Sequence, residues 1–142
     1  MKKIMIICSS NFYDRISPIK EVLEKKYELI MPNGYGEEEN DEEYSNMNEE
    51  EYMSFFKEMF HMSRNKIKDV DACLVLNFDK NKRGTTYYNY IGASTFLEMY
   101  EAFMGDKTIY LYNDLPDKNN MLYDEIKGFN PVILNGDLNK IK

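Results

Sequence analysis

Short, nearly continuous apolar runs constrain the fold of this chain more than any other feature. Residues 3–8 form one such run, and residues 71–77 form another. A strand with one face in water alternates apolar and polar residues, whereas a strand covered on both faces of a parallel sheet is apolar throughout. Similar runs at residues 27–31, 108–112 and 132–134 complete five predicted strands.

Segments with the apolar spacing of helices separate these strands. Ser17 followed by Pro18 predicts an N-cap and the start of the first helix. Gly105 is typical of the residue after a helix and predicts the end of the third helix. The other predicted helices are residues 48–68, 94–104 and 120–127, with one more turn after Asp137. This alternation predicts an α/β fold of three layers, Rossmann-like or flavodoxin-like, with a five-stranded parallel sheet in the order 2-1-3-4-5.

The second predicted helix carries a stripe of aromatic and Met side chains. Its members are Tyr52, Phe55, Phe56, Met59, Phe60, Met62 and Ile67. Because one face of a helix normally packs on the core, we interpret this stripe as core rather than as a ligand surface. The later segment 79–89 is interpreted as a polar loop, whose cations Lys80, Lys82 and Arg83 either meet an anionic ligand or form a solvated tip.

The net charge of −7 is concentrated in one segment. Residues 37–51 hold nine of the 25 acidic residues and no Lys or Arg, and the other acidic residues nearly balance the 18 basic ones. We predict an acidic loop at residues 35–48, either mobile or a lid. Because no basic stripe is available to neutralise phosphates, the sequence argues against a duplex nucleic-acid partner.

The length of 142 residues predicts a single domain spanning residues 1–142. No apolar run is long enough to cross a bilayer and no signal peptide is recognisable, so we expect no membrane association and a cytoplasmic location. Cys8 and Cys73 lie in strand patterns and are predicted to be buried free thiols. His61 has no Cys or His companion, so we expect neither a metal site nor a cofactor.

Residues 90–103 contain the strongest candidate for chemistry. Gly92 allows close backbone approach, Ser94 or Thr95 can cap the helix, and the free N–H groups of its first turn can bind an anion. Glu98 then enters otherwise apolar surroundings, as catalytic carboxylates often do. The alternative is a capping box, in which Thr95 is the N-cap and Glu98 only reaches back to a backbone N–H.

In a sheet of this order, ligands bind beyond the carboxyl ends of the strands, between strands one and three. The turn at residues 9–13, the end of strand three and the loop before Glu98 all fall on that edge. We therefore predict one crevice, and this convergence favours a functional Glu98. Besides Gly92, Ser94, Thr95 and Glu98, the residues predicted to bind a substrate there are Ser9, Ser10, Phe12, Asn77, Asp79 and Asn113.

Four segments between residue 3 and about residue 113 resemble the nucleoside 2-deoxyribosyltransferases and the related deoxynucleoside 5′-monophosphate N-glycosidases. They are residues 3–7, 31–32, 67–76 and 94–102. In that family the pattern Asp-x-Gly-Thr-x-x-Glu opens a helix and its glutamate attacks the sugar, which implies this role for Glu98 and matches Thr95. Gly92 stands in place of the aspartate and Ser94 in place of the glycine. A serine near this loop is a feature of relatives that accept a phosphate, so Ser94 favours a nucleotide.

The resemblance implies cleavage or exchange of the N-glycosidic bond of a nucleoside or its 5′-monophosphate, with Glu98 as nucleophile. Asn77 and Asp79 would then hold or protonate the leaving base, and Ser9 and Ser10 would bind the sugar or phosphate. The alternative is a non-catalytic nucleotide-binding or regulatory protein, whose acidic loop docks a basic partner.

Aromatic and Met side chains around the third predicted helix exceed what one buried stripe needs. They are Tyr87, Tyr88, Tyr90, Phe96, Met99, Tyr100 and Phe103. We therefore predict a homo-oligomer, either a dimer or a dimer of dimers, and the family resemblance implies the same. In such an assembly Asn113 is a candidate to reach across the interface.

Overall fold

The computed structural model describes residues 1–37 and 46–142. Its main sheet is parallel, and the strands lie in the order β2-β1-β3-β6-β7. These strands are β1 (Lys3–Ile7), β2 (Glu28–Ile30), β3 (Ala72–Val75), β6 (Thr108–Leu111) and β7 (Val132–Ile133). The intervening β4 (Lys80–Lys82) and β5 (Thr85–Tyr87) form a separate antiparallel pair. In the main sheet the predicted fold class and the order 2-1-3-4-5 are thus confirmed.

Within the described residues, four α-helices connect the strands. They are α1 (Ile16–Leu23), α2 (Glu49–Lys68), α3 (Ala93–Met104) and α4 (Tyr123–Gly128), with 3₁₀ helices at Ser10–Arg15 and Leu138–Lys140. The start of α2 is set by Asn48, whose Oδ1 accepts a hydrogen bond of 2.8 Å from the Glu51 N–H. This satisfies one of the N–H groups that a helix start leaves free. No described helix combines the length and apolar character needed to cross a bilayer.

Two apolar clusters cover the two faces of the sheet. Alternate residues of β1 point to opposite faces, so that Ile4 and Ile6 belong to one cluster and Met5 and Ile7 to the other. The first cluster is completed by α1, and the second by α2, α3 and α4. The buried thiols predicted for Cys8 and Cys73 are confirmed.

Three sequence interpretations of local structure are wrong. Helix α1 begins at Ile16, because a 3₁₀ helix capped by Ser9 leads directly into it, so Ser17 lies inside the helix and caps nothing. The segment 79–89 is a hairpin rather than a loop, with Lys82 paired to Thr85 across its turn. Apart from Ile67, the stripe on α2 is not core, since only Ser63 and Ile67 of that helix are buried. The acidic loop predicted at residues 35–48 lies mostly outside the described residues.

Candidate active site

A cavity of about 850 Å³ opens beyond the carboxyl ends of β1 and β2. The segments after these strands form its floor, and α2 and the start of α3 form its walls. This is the switch-point side of the sheet, where ligands bind in folds of this type. A volume of this size is within the range of small-molecule sites.

Six of the predicted site residues line this cavity. They are Ser9, Ser10, Gly92, Ser94, Thr95 and Glu98. The first two follow β1, and the others belong to the segment that opens α3. The structure therefore brings together two of the three segments that were expected to converge.

The other four predicted residues do not line the cavity. Phe12 is buried in the core, where its ring centroid lies 5.5 Å from that of Phe78. The Asn77 Nδ2 donates to the Asp114 carbonyl at 2.8 Å, and the Asn77 Oδ1 accepts from the Asn113 N–H at 2.8 Å. The Asp79 carboxylate accepts from the Asn89 N–H at the base of the hairpin. Phe12, Asn77, Asp79 and Asn113 thus make contacts within the fold itself.

Glu98 lies in the second turn of α3. The helix begins at Ala93 with Gly92 as N-cap, and no side chain caps it. Thr95 is already inside the helix, so the capping box, which requires Thr95 as N-cap, is excluded. The half-buried carboxylate of Glu98 faces the cavity instead.

Burial raises the pKa of Glu98 to about 7, because desolvation disfavours the charged carboxylate. The Ser63 hydroxyl donates a hydrogen bond to this carboxylate, and the ammonium group of Lys66 lies near it; both lower the pKa and so limit the rise. Cys8 also lines the cavity, but burial raises the pKa of its thiol to about 12. The thiolate is therefore scarce at neutral pH, which leaves Glu98 as the better nucleophile.

Ser63 and Asn33 form a hydrogen-bonded support behind Glu98. The Asn33 Nδ2 donates to the Ser63 Oγ at 2.9 Å and to the Met59 carbonyl at 3.2 Å. Since Ser63 accepts from Asn33, its own proton is directed to Glu98. The backbone carbonyl oxygen of Asn33 accepts a hydrogen bond of 2.6 Å from the Tyr13 hydroxyl. This bond holds the segment after β2 in place.

Sequence reasoning missed this support, although one signal was available. Ser63 occupies a polar position on the otherwise apolar stripe of α2, at helical spacing from Phe56, Phe60 and Ile67. A polar residue at a stripe position is buried with the stripe and needs a partner. Asn33, in contrast, lies in a Pro-Asn-Gly turn. Asn is common in turns, so its residue type alone did not indicate that its side chain supports the site.

Two contacts of basic side chains fix α2 against the rest of the site. The Arg64 guanidinium makes a forked contact with the Glu101 carboxylate, at 2.7 Å from Nη2 and 3.1 Å from Nε. The Lys66 Nζ donates to the Met31 carbonyl at 3.1 Å. These contacts join α2 to α3 and to the end of β2, so the α2 wall of the cavity is held by the protein itself.

That wall is aromatic. The rings of Tyr52 and Phe56 have centroids 4.9 Å apart, and Phe56 lies 5.8 Å from Phe55 and 6.2 Å from Phe60. All four side chains line the cavity. The α2 stripe, predicted to be core, thus provides a ligand-facing surface. Among the described residues, no group of three or more His, Cys, Asp or Glu side chains is arranged to hold a metal ion.

Comparison with known proteins gives similar chains at low identity. No protein-family model matches the chain, and no curated protein sequence matches it. Among solved structures, a 2-deoxyribosyltransferase from the psychrotolerant bacterium Bacillus psychrosaccharolyticus is 17% identical, with 77% of this chain and 70% of that chain covered and a TM-score of 0.48. A CMP N-glycosidase from Clostridium botulinum is 15% identical, with 94% and 89% covered and a TM-score of 0.48. A likeness at this level carries no conclusion about the activity of this chain.

Proposed function

We propose that this protein cleaves or exchanges the N-glycosidic bond of a nucleoside or a nucleoside 5′-monophosphate, with Glu98 as the nucleophile. The observation that carries the proposal is the half-buried Glu98 carboxylate, which lines a cavity large enough for a nucleoside together with the aromatic side chains of α2. Aromatic side chains stack on the flat face of a base, and such contacts tolerate different bases. The resemblance to nucleoside 2-deoxyribosyltransferases supports the same role for Glu98.

The proposed reaction proceeds in two steps. The ionised Glu98 attacks the anomeric carbon C1′ through an oxocarbenium-like transition state, and the base leaves with the electron pair of the C1′–N bond, a neutral nucleoside's base then taking a proton from solvent. Water or a second base then attacks C1′, gives a proton to solvent and releases the carboxylate. Ser63 orients the carboxylate for the first step and holds it again after the second.

The serines at the cavity are the candidates for binding the sugar. Ser9 and Ser10 lie at the end of β1, and Ser94 lies in the first turn of α3. Hydroxyls and a helix N-terminus can also bind a phosphate, but no Lys, Arg or His is among the described residues that line the cavity. We therefore favour a free nucleoside over its 5′-monophosphate, although Ser94 alone suggested the reverse.

Chromatography of free base tests the proposal. The purified protein is incubated with each common ribo- and deoxyribonucleoside and with each 5′-monophosphate. Glu98→Gln should reduce base release by at least 10³-fold, since the nucleophile is lost. Glu24→Gln changes an exposed carboxylate at the C-cap of α1 and should retain full activity. Equal release by the Glu98 variant would refute the role of this residue.

The alternative is a nucleotide-binding or regulatory protein that does not cleave its ligand. A thermal-shift measurement distinguishes this alternative from the enzyme. A nucleotide or nucleoside that binds the folded state raises the melting temperature whether or not a bond is cleaved. Stabilisation without base release would favour the alternative. An absence of both would contradict both functions.

We also propose a cytoplasmic homo-oligomer. The cysteines are free and buried, as is usual in a reducing compartment.

For the oligomer, the predicted contact surface on α3 loses one member, because Met99 is wholly buried and cannot contact a second copy. The exposed apolar residues of α3 are Leu97, Tyr100, Phe103 and Met104. Two of these, Leu97 and Tyr100, line the cavity, so a second copy seated on α3 would border the active site.

A further inference from the structure

The charge of the cavity wall bears on whether the base of a bound nucleoside is cationic or neutral. The acidic and basic residues of the described lining are all glutamates: Glu37, Glu58, Glu98 and Glu101. Two cations lie next to the lining: Arg64 pairs with Glu101, and Lys66, whose Nζ donates to the Met31 carbonyl, also acts on the Glu98 carboxylate. Three carboxylates, or four once Glu98 is ionised, beside these two cations leave the described cavity wall with a net negative charge.

The aromatic wall has the geometry that receives a flat cation. Six aromatic side chains line the cavity: Tyr13, Tyr52, Phe55, Phe56, Phe60 and Tyr100. Tyr52 is 46% exposed and Phe60 is 47% exposed, so these ring surfaces remain accessible to a ligand. The negative faces of aromatic rings attract cations, and nearby carboxylates add to this attraction.

Asn33 supplies an independent sign of a ligand. This residue lines the cavity and is 7% exposed, yet its Oδ1 has no hydrogen-bond donor within the part of the chain that the structure describes. A buried acceptor without a donor is rare in folded proteins. The oxygen suits a ligand that brings an N–H or O–H group, or a positive charge, to this position.

We propose that the preferred substrate is a nucleoside whose base is positively charged before the reaction, such as a pyridinium nucleoside or an N7-alkylated purine nucleoside. This inference rests on the proposed function and names its substrate class. A glutamate-lined aromatic cavity favours a cationic ring over a neutral one, and disfavours a 5′-monophosphate.

The chemistry of bond cleavage agrees with this class. When Glu98 attacks C1′, the C1′–N bond breaks, its electron pair moves to the ring nitrogen, and the cationic base leaves as a neutral molecule without taking a proton. A neutral base, in contrast, needs a proton donor to leave easily. Asn77 and Asp79, the side chains predicted to serve a leaving base, make hydrogen bonds away from the cavity. Water then bonds to C1′, loses its proton to solvent, and the ester electron pair returns to the carboxylate.

A matched pair of probes tests the charge. Nicotinamide riboside carries a pyridinium cation, and its 1,4-dihydro form has nearly the same shape without the charge. Dissociation constants are measured by calorimetry with the Glu98→Gln protein, which cannot turn them over, using ribosyl and 2′-deoxyribosyl forms of both probes. We expect the cation to bind about tenfold more tightly than the neutral form. Equal affinity, or tighter binding of nicotinamide mononucleotide, would overturn the inference.

Substitution of lining glutamates by glutamine gives a second test of the charge preference. Glu37→Gln combined with Glu58→Gln should weaken binding of the cation about fivefold and leave binding of the neutral probe unchanged. Glu21→Gln, on the exposed side of α1, should change neither. If both probes weaken equally, the glutamates act on structure rather than on charge, and the inference fails.

Turnover separates this inference from the proposed function. Release of nicotinamide from the riboside by the unmodified protein, lost in Glu98→Gln, supports both. Release of base from neutral nucleosides at equal or greater kcat/KM, without selective binding of the cation, contradicts the inference and leaves the proposed function standing. Selective binding of the cation without release of any base contradicts the proposed function and leaves the charge preference standing.

Discussion

Ser63 limits the rise in the pKa of Glu98 through a single hydroxyl. Its hydrogen bond to the carboxylate opposes the rise in pKa that burial causes. In Ser63→Ala the pKa of Glu98 should therefore rise further, and the acid limb of the rate profile should move to higher pH by about half a pH unit to one unit. Ser63→Thr keeps the hydroxyl and should restore the original profile. A fall in rate at every pH, without a shift of the limb, would show that Ser63 only shapes the cavity.

The raised pKa of Glu98 also predicts how stability depends on pH. In the folded protein the carboxyl keeps its proton up to about pH 7, whereas an ordinary Glu loses it near 4.5. Between these values the folded state binds more protons than the unfolded state, so rising pH destabilises the fold.

Glu98→Gln removes this titration. The variant should be more stable than the unmodified protein above pH 7, by about 2 kcal/mol after allowance for the partial exposure of the carboxylate. The difference should shrink as pH falls and vanish near pH 4.5. Denaturant unfolding at a series of pH values measures it, and a difference that stays constant with pH would contradict the assigned burial.

The cap of α2 supports the aromatic wall at the level of the helix. Asn48→Ala removes the bond from the Glu51 N–H to Oδ1 and should lower the unfolding free energy by about 1 kcal/mol and the melting temperature by about 3 °C. Asn65→Ala, at an exposed interior position of the same helix, is the matched control and should not destabilise the protein. Equal losses in both variants would show that the cap contributes nothing.

The ends of β3 and β6 are joined by Asn77. Its buried amide makes three side-chain hydrogen bonds, two donated to the carbonyls of Asn113 and Asp114 and one accepted from the Asn113 N–H. Asn77→Ala should lower the unfolding free energy by about 3 kcal/mol, since the partners are left unsatisfied. The KM for any cleaved substrate should stay unchanged. The exposed Asn119→Ala should alter neither quantity, and a raised KM with unaltered stability in Asn77→Ala would place this amide at the substrate.

At the scale of the whole molecule, the exposed face of α3 predicts self-association. Phe103 is 44% exposed and does not line the cavity, so Phe103→Asp tests assembly without touching the site. We expect a dimer or larger assembly in light scattering, and dissociation in this variant, because a buried charge opposes an apolar interface. Met121→Asp changes a side chain that is 90% exposed outside α2 and α3, and should leave the assembly intact. A monomeric unmodified protein at micromolar concentration would refute the prediction.

The sequence by itself determined the strands of the sheet because strands buried on both faces must be apolar throughout, and their order was predicted from the α/β fold class. The runs around Ile6 and Leu74 therefore stood out without any knowledge of their partners. Glu98 stood out for a related reason, since a carboxylate among apolar helix positions has few structural explanations. Both features depend on neighbours within a few residues along the chain.

Tertiary structure alone decided what surrounds Glu98. The hydroxyl of Ser63 reaches it from a different helix, and the amide of Asn33 holds that hydroxyl from a turn; no local spacing relates these positions. The same holds for the aromatic stripe of α2, whose amphipathic pattern is the same whether the helix packs on the sheet or stands off from it. The gap between α2 and the segments after β1 and β2 turns that stripe into a cavity wall. The Asn77 side chain bonds to the backbone after β6 rather than lining the cavity, because a buried amide is satisfied by the nearest backbone groups.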